Sequence, residues 1–199
     1  MQLNLRKFAQ AVTPPGCTEL DSIYTYLNAN WNPLQMSFLL IDCWATNPNT
    51  GFQNRALANM DDKLIPLVNR LRSAGVLICH ACYDSYLHGN YITPQNGDWV
   101  INLGSQQTAA QIHMALYNLG RPLFMMAGYA TNNCVLQRPL GMWNFIYHAP
   151  SLQQLVLVRD CTLGFESPES LTTEGNKKAI IQMVECWTHG HTTTSEEIV

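Results

Sequence analysis

Short apolar runs recur along the chain and indicate strands that are buried on both faces of a parallel sheet. These runs cover residues 38–41, 76–78, 99–101, 123–126 and 155–158. Between them, apolar side chains spaced three and four apart predict helices over 57–71, 112–119 and 179–184. Gly75 and Gly120 follow the first two of these helices, where glycine often closes the last turn. Strands and helices therefore alternate.

This alternation predicts an α/β fold, because right-handed crossovers restrict such a chain to doubly wound sheets. We expect a three-layer, mainly parallel, six-stranded sheet with the Rossmann-like order 3-2-1-4-5-6. Strands 1 and 4 are neighbours in that order, and ligands bind in the crevice at their carboxyl ends. Residues 1–35 break the pattern, with a turn predicted at 14–16 and a helix over 20–29. We expect this N-terminal extension to pack on the domain formed by 36–199.

Composition narrows the class of protein and of partner. A chain of 199 residues that is 47% hydrophobic suits one globular unit. With a net charge of -3 and no cluster of Lys or Arg, it has no predicted surface for nucleic acid or for an anionic membrane. It contains neither a membrane-length apolar run nor the pattern of a secretion signal, and its seven cysteines are odd in number. These features predict a cytoplasmic protein with reduced thiols.

Two residues in the expected crevice have the chemistry of a nucleophile and its base. Asp42 directly follows the first strand, and Cys134 falls where a helix is expected to start after strand 4. A thiol in the first turn of a helix has a lowered pKa, and a partly desolvated carboxylate can accept its proton. From position alone, an inert buried cysteine and a helix-capping aspartate are the commoner explanations.

The segments around these two residues resemble the isochorismatase-like cysteine hydrolase superfamily. FLLIDCWAT at 38–46 is similar to that family's first strand and aspartate, and LFMMAGYATNNCVLQRPLGM at 123–142 contains its G-x-x-T-[DN]-x-C-V signature. LVLVRDCT at 155–162 and HTTTSEEIV at 191–199 resemble its last two strands. The resemblance covers about residues 36–199.

The resemblance implies hydrolysis of a small-molecule carbon–nitrogen bond, in an amide, imide or ureido compound, through a thioester on Cys134 with Asp42 as base. It also implies a cis peptide between Ala130 and Thr131, in a loop whose backbone amides, with that of Cys134, face an oxyanion.

The family's third catalytic residue is a lysine, and here Leu103, or Asn102 in a shifted register, stands in its place. No Lys or Arg occurs between Arg72 and Arg121 to replace it. We therefore expect a higher thiol pKa and a slower or altered reaction.

The resemblance also bears on cofactors and assembly. Its zinc-binding branch, the nicotinamidases, has a D-x-H element where this chain has D-S-Y at 84–86, so we expect no catalytic metal and no other cofactor. It implies a homodimer or homotetramer, for which the aromatic-rich run 142–147 is a plausible contact surface.

Five residues near the crevice are candidates to line a substrate pocket. Trp44, Tyr83 and Tyr86 would form an apolar wall, and Asn102 and Asn133 would add polar groups. Burial in the core or in an interface explains the aromatic residues equally well.

Two functions other than hydrolysis remain open. The chain can be a non-catalytic relative that binds a small molecule or serves as a subunit of an assembly. Alternatively, an activated thiol beside Cys43 can serve redox sensing, since exposed thiols of low pKa oxidise readily. The pH dependence of alkylation at Cys134 separates an activated thiol from an ordinary one.

Overall fold

An eight-stranded sheet runs through the part of the chain that this computed structural model describes, residues 1–9, 23–102, 107–149, 154–187 and 189–199. Its strands are β1 (Gln2–Ala9), β2 (Ile23–Asn30), β3 (Met36–Ile41), β4 (Leu77–Ala81), β5 (Trp99–Val100), β6 (Leu123–Tyr129), β7 (Leu155–Leu163) and β8 (Gly190–Thr193). The sheet order is β2-β1-β8-β7-β6-β3-β4-β5. Strands β3 to β8 are parallel and follow the predicted order 3-2-1-4-5-6, so the predicted fold class is confirmed.

Helices cover both faces of this sheet. They are α1 (Thr50–Asn59), α2 (Ile65–Ser73), α3 (Ser85–His88), α4 (Ala109–Asn118), α5 (Met142–His148) and α6 (Gly175–Cys186), with a π-helical turn Met60–Leu64 joining α1 to α2. Alternate residues of β3 enter opposite cores: Phe38 packs with α1 and α2, whereas Leu39 packs with α4, α5 and α6. Because every residue of β3 is buried, its sequence reads as a continuous apolar run.

The N-terminal extension differs from the prediction. The helix expected over 20–29 is wrong for residues 23–30, which form β2 and pair antiparallel with β1 along its whole length. The segment is rich in β-branched and aromatic residues, and its partner β1 buries Leu3 and Leu5, two residues apart on one face. The turn predicted at 14–16 lies outside the described residues.

β1 pairs antiparallel with β8. β1 and β2 therefore extend the parallel sheet beyond β8. An ion pair from Arg6 to the buried Glu185 of α6 connects this edge to the helical layer. Among the described residues, every helix is too short or too polar to span a lipid bilayer.

Candidate active site

Asp42 and Cys134 meet at the carboxyl ends of two neighbouring strands. β3 and β6 pair in register up to Ile41 and Gly128. Asp42 follows β3 in a left-handed conformation, and Cys134 lies in the π-helical turn Thr131–Val135 that follows β6. Asp42 and Cys134 line the same small cavity, and each side chain influences the pKa of the other. The structure therefore brings together the two residues that the sequence singled out.

Gly128 allows this close approach of the two strands. Its φ is +142°, and a Cβ atom placed there would lie 2.0 Å from the carbonyl oxygen of Ile41. Any larger residue would push β6 away from β3 at the point where the thiol and the carboxylate meet.

Burial raises the pKa of the Asp42 carboxyl to about 6. The side chain is only 1% exposed, so its charged form loses hydration. Two donors limit the rise: the Tyr83 amide lies 2.6 Å from Oδ1, and Arg138 Nε lies 3.1 Å from Oδ2. Near neutral pH the carboxyl is therefore mostly ionised and able to accept a proton.

Burial and the negative Asp42 raise the pKa of the Cys134 thiol to about 11, although Arg138 and the Ala130 backbone act against this rise. The lowering expected from a helix start is outweighed, because Cys134 lies in a five-residue turn and is 4% exposed. Near neutral pH the proton therefore resides on sulfur, beside an ionised carboxylate.

Arg138 is a site residue that the sequence interpretation missed. Arg138 lies outside the cation-free stretch between Arg72 and Arg121, four residues after Cys134, and its amide donates to the Cys134 carbonyl at 3.1 Å. Residues four apart share one face of a helical turn, and this spacing was the available signal. A cation that the sequence interpretation did not name therefore pairs with Asp42.

The loop between β6 and the π-helical turn contains a cis peptide at Tyr129–Ala130, one bond earlier than the expected Ala130–Thr131. Ala130 lines the wall beside Cys134. Thr131 is buried, and its hydroxyl lies 2.7 Å from that of Thr162 on β7, so its side chain anchors the loop to the sheet.

The cavity at the thiol is small. It has a volume of about 10 Å³ and is lined by Asp42, Cys134, Ala130 and an aromatic wall that includes Trp44, Phe52 and Phe165. A cavity needs roughly 10–15 Å³ to hold one water molecule, so the site as it stands admits at most a molecule of that size. The ring centres of Phe52 and Phe165 lie 4.1 Å apart, and the ring planes are tilted by 35°.

A neighbouring cavity of about 600 Å³ contains most of the other predicted pocket residues. Tyr83, Tyr86 and Asn102 line it, whereas Trp44 belongs to the small cavity and donates from its indole to the Tyr83 carbonyl at 2.7 Å. Asn133 is exposed and lines neither cavity, so its predicted pocket role is not supported. Leu103 lies outside the described residues.

Two alternatives from the sequence concern metal and redox chemistry. Within the described residues, no three His, Cys, Asp or Glu side chains are grouped to hold a metal ion. Burial raises the pKa of Cys43 well above its ordinary value. Since the pKa of Cys134 is raised as well, redox sensing by a thiol of low pKa loses its premise.

Neither a protein-family model nor a curated protein sequence matches this chain. Several solved structures do match it. A cysteine hydrolase from Pseudomonas syringae pv. phaseolicola is 13% identical, with a TM-score of 0.60 over 85% of this chain and 93% of that one. The fold is that of the isochorismatase-like cysteine hydrolases.

Two further structures support this fold assignment. An isochorismatase from Pseudomonas putida is 15% identical, with a TM-score of 0.58 over 86% of this chain and 93% of that one. An isochorismatase family protein from Burkholderia thailandensis is 14% identical, with a TM-score of 0.53 over 84% of this chain and 95% of that one. The resemblance seen in the sequence is thus confirmed at the level of the isochorismatase-like fold.

Proposed function

We propose that this protein is a cysteine-dependent hydrolase that cleaves a carbon–nitrogen bond of a small amide, imide or ureido compound through a thioester on Cys134. One observation carries the proposal: a thiol and a carboxylate line one small cavity at the carboxyl ends of adjacent parallel strands. The isochorismatase-like fold supports it, because cysteine hydrolases share that fold.

In the proposed first step, Asp42 accepts the thiol proton while the Cys134 sulfur attacks the substrate carbonyl carbon. The carbonyl π electrons move to oxygen and form the tetrahedral oxyanion. Because the pKa of the Cys134 thiol is well above that of the Asp42 carboxyl, a free thiolate beside a protonated carboxyl is costly. Proton transfer and attack are therefore concerted.

In the following steps the carbon–nitrogen bond breaks, and the leaving nitrogen takes the proton from Asp42. Water then attacks the thioester carbonyl, giving up a proton to Asp42. When the carbon–sulfur bond breaks, that proton returns to sulfur, and the acid product leaves. The carboxyl is suited to both transfers because its pKa lies close to neutral pH.

A substrate requires more room than the small cavity offers. The wall formed by Phe52 and Phe165 must move before a carbonyl group can reach the sulfur. This requirement favours compact, planar substrates, which can pack against the two aromatic rings once these have moved.

The test compares Cys134→Ser with a matched control, Cys186→Ser, which removes an exposed thiol. Each protein is incubated with a panel of small amides, imides and ureido compounds, and the released amine or ammonia is measured. Acid-quenched samples are weighed by intact mass spectrometry for an acyl adduct. We expect wild type and Cys186→Ser to release amine and carry the adduct, and Cys134→Ser to do neither. Undiminished hydrolysis by Cys134→Ser would show that the mechanism is wrong.

A second candidate function is binding of a small molecule without turnover. The small volume of the cavity at Cys134 and the thiol pKa of about 11 favour it, and the 600 Å³ cavity offers room for a ligand. Acylation of Cys134 by an amide within a single turnover argues against this candidate.

The proposal includes the setting of the enzyme. We assign the hydrolase activity to a domain formed by residues 36–199, with residues 1–35 as its extension. We expect the protein to act in the cytoplasm as a homodimer or homotetramer. Trp143 and Tyr147 of α5 support a contact surface, because they are 45% and 56% exposed with rings 4.6 Å apart.

A further inference from the structure

The geometry points to Arg138 as the cationic positioning residue of the Cys134–Asp42 pair, holding the carboxylate and stabilising negative charge as it passes to sulfur. The inference rests on the proposed function, in which Cys134 is the nucleophile. It starts from an observation independent of any substrate: the Arg138 guanidinium donates to the Asp42 carboxylate at 3.1 Å, and this carboxylate lines one cavity with Cys134.

The backbone of Arg138 is held in place from several sides. Its amide donates to the Cys134 carbonyl, and its own carbonyl accepts from the Gly141 amide at 2.6 Å and from the Asn144 side chain at 2.9 Å. A Cβ atom on Gly141 would lie 2.7 Å from the Leu136 carbonyl oxygen, so the turn is tight. The side chain therefore leaves a rigid support in the same helical turn as the thiol.

The guanidinium is held by charge and by an aromatic face. Nε donates to Asp42 Oδ2 at 3.1 Å, and Nη2 lies 3.8 Å from Asp84 Oδ2. Its central carbon lies 4.8 Å from the centre of the Tyr83 ring, a favourable cation–π distance. The side chain is 31% exposed whereas that of Asp42 is fully buried, so Arg138 connects the buried pair with solvent.

The ionisable groups around the pair come from three segments. The loop after β4 contributes Cys82, Tyr83 and Asp84, the residue after Asp42 contributes Cys43, and the π-helical turn contributes Cys134 itself. Among the residues that the structure describes, Arg138 is the one cation that acts on Asp42, Cys82 and Cys134. Its removal would leave a buried carboxylate and thiol without a positive neighbour.

The position of Arg138 beside Asp42 and Cys134 suits proton transfer between these two residues. When the Asp42 carboxylate takes the thiol proton, negative charge leaves an oxygen that Arg138 contacts and appears on a sulfur whose charge Arg138 stabilises electrostatically. The cation keeps an anionic partner throughout, and little reorganisation is needed. A lysine ammonium would supply the charge but not the planar set of donors.

The test measures iodoacetamide alkylation of Cys134 against pH, by peptide mass spectrometry, in wild type, Arg138→Lys, Arg138→Met and Arg138→Gln. Loss of a positive charge at this distance raises a thiol pKa by one unit or more, and the greater nucleophilicity of a more basic thiolate offsets part of the loss. We expect alkylation at pH 8.5 to slow at least about threefold in the neutral variants and to recover in Arg138→Lys. The control is Arg55→Met, which removes an arginine whose guanidinium lies 5.9 Å from the Phe52 ring.

Circular dichroism identifies the variants that fold. The inference requires slower alkylation of Cys134 in every neutral variant that folds. If neither Arg138→Met nor Arg138→Gln folds, butanedione modification of Arg138 in the wild type, mapped by peptide analysis, must slow alkylation to the same extent. A wild-type alkylation profile in a folded neutral variant or in the modified protein would overturn the inference. Labelling needs no substrate, so its outcome is independent of whether Cys134→Ser abolishes hydrolysis.

Discussion

Asp42 is predicted to destabilise the folded protein near neutral pH, and Asp42→Asn should relieve that cost. The pKa of this carboxyl rises from 3.8 to about 6 on folding, mainly because of burial. A group with a raised folded pKa stabilises the protein at low pH, and that contribution is lost as pH rises through about 6. At 1.36 kcal/mol per unit, the full cost at pH 7.5 is about 3 kcal/mol.

Urea unfolding of wild type and Asp42→Asn at pH 4.5 and pH 7.5 measures this effect. The interaction of Asp42 with Arg138 is already part of this pH-dependent difference, because it is one of the causes that set the folded pKa at about 6. We expect the stability of the variant relative to wild type to increase by about 2 kcal/mol between the two pH values. The matched control is Asp62→Asn, an exposed carboxyl, for which the difference should stay flat. A pH-independent difference for Asp42→Asn would refute the reasoning.

The same variant links stability to function. Asp42→Asn cannot accept the thiol proton, so hydrolysis should be lost while the protein gains stability at pH 7.5. Opposite changes of this kind are typical of groups retained for activity at the expense of stability.

Three further substitutions test the packing that forms the site. Gly128→Ala should lower the free energy of unfolding in urea by more than about 2 kcal/mol, since its Cβ would lie 2.0 Å from a β3 carbonyl oxygen. The control Gly97→Ala, whose Cβ would have nothing within 4 Å, should cost only the backbone strain of about 1 kcal/mol. Arg6→Ala should cost about 3 kcal/mol or more, because it leaves the fully buried Glu185 without its cation; a loss below 1 kcal/mol would contradict this ion pair. Phe52→Ala should cost about 3 kcal/mol and accelerate alkylation of the active-site thiol by opening its cavity, and an unchanged alkylation rate would mean that this ring does not limit access.

The order of the parallel strands could be predicted from the sequence because it depends on local patterns and one general constraint. Runs such as Phe38 to Ile41 are apolar without alternation because both faces of their strand are buried. Right-handed crossovers then limit how such strands can be arranged. The meeting of Asp42 and Cys134 follows, since each residue comes just after one of two strands that this order makes neighbours.

Only the tertiary structure decided the features that depend on partners distant in the chain. Residues 23–30 are a strand because β1 offers an antiparallel partner along their whole length, and no local period shows this. The thiol pKa depends on burial and on the Asp42 charge, which outweigh the helix start visible in the sequence. Arg138 joins the site because the turn after β6 aims it at a carboxylate 96 residues away in the chain. Such contacts form only when distant segments pack together in the folded protein. The order of residues along the chain does not by itself show which charged groups will then be buried side by side.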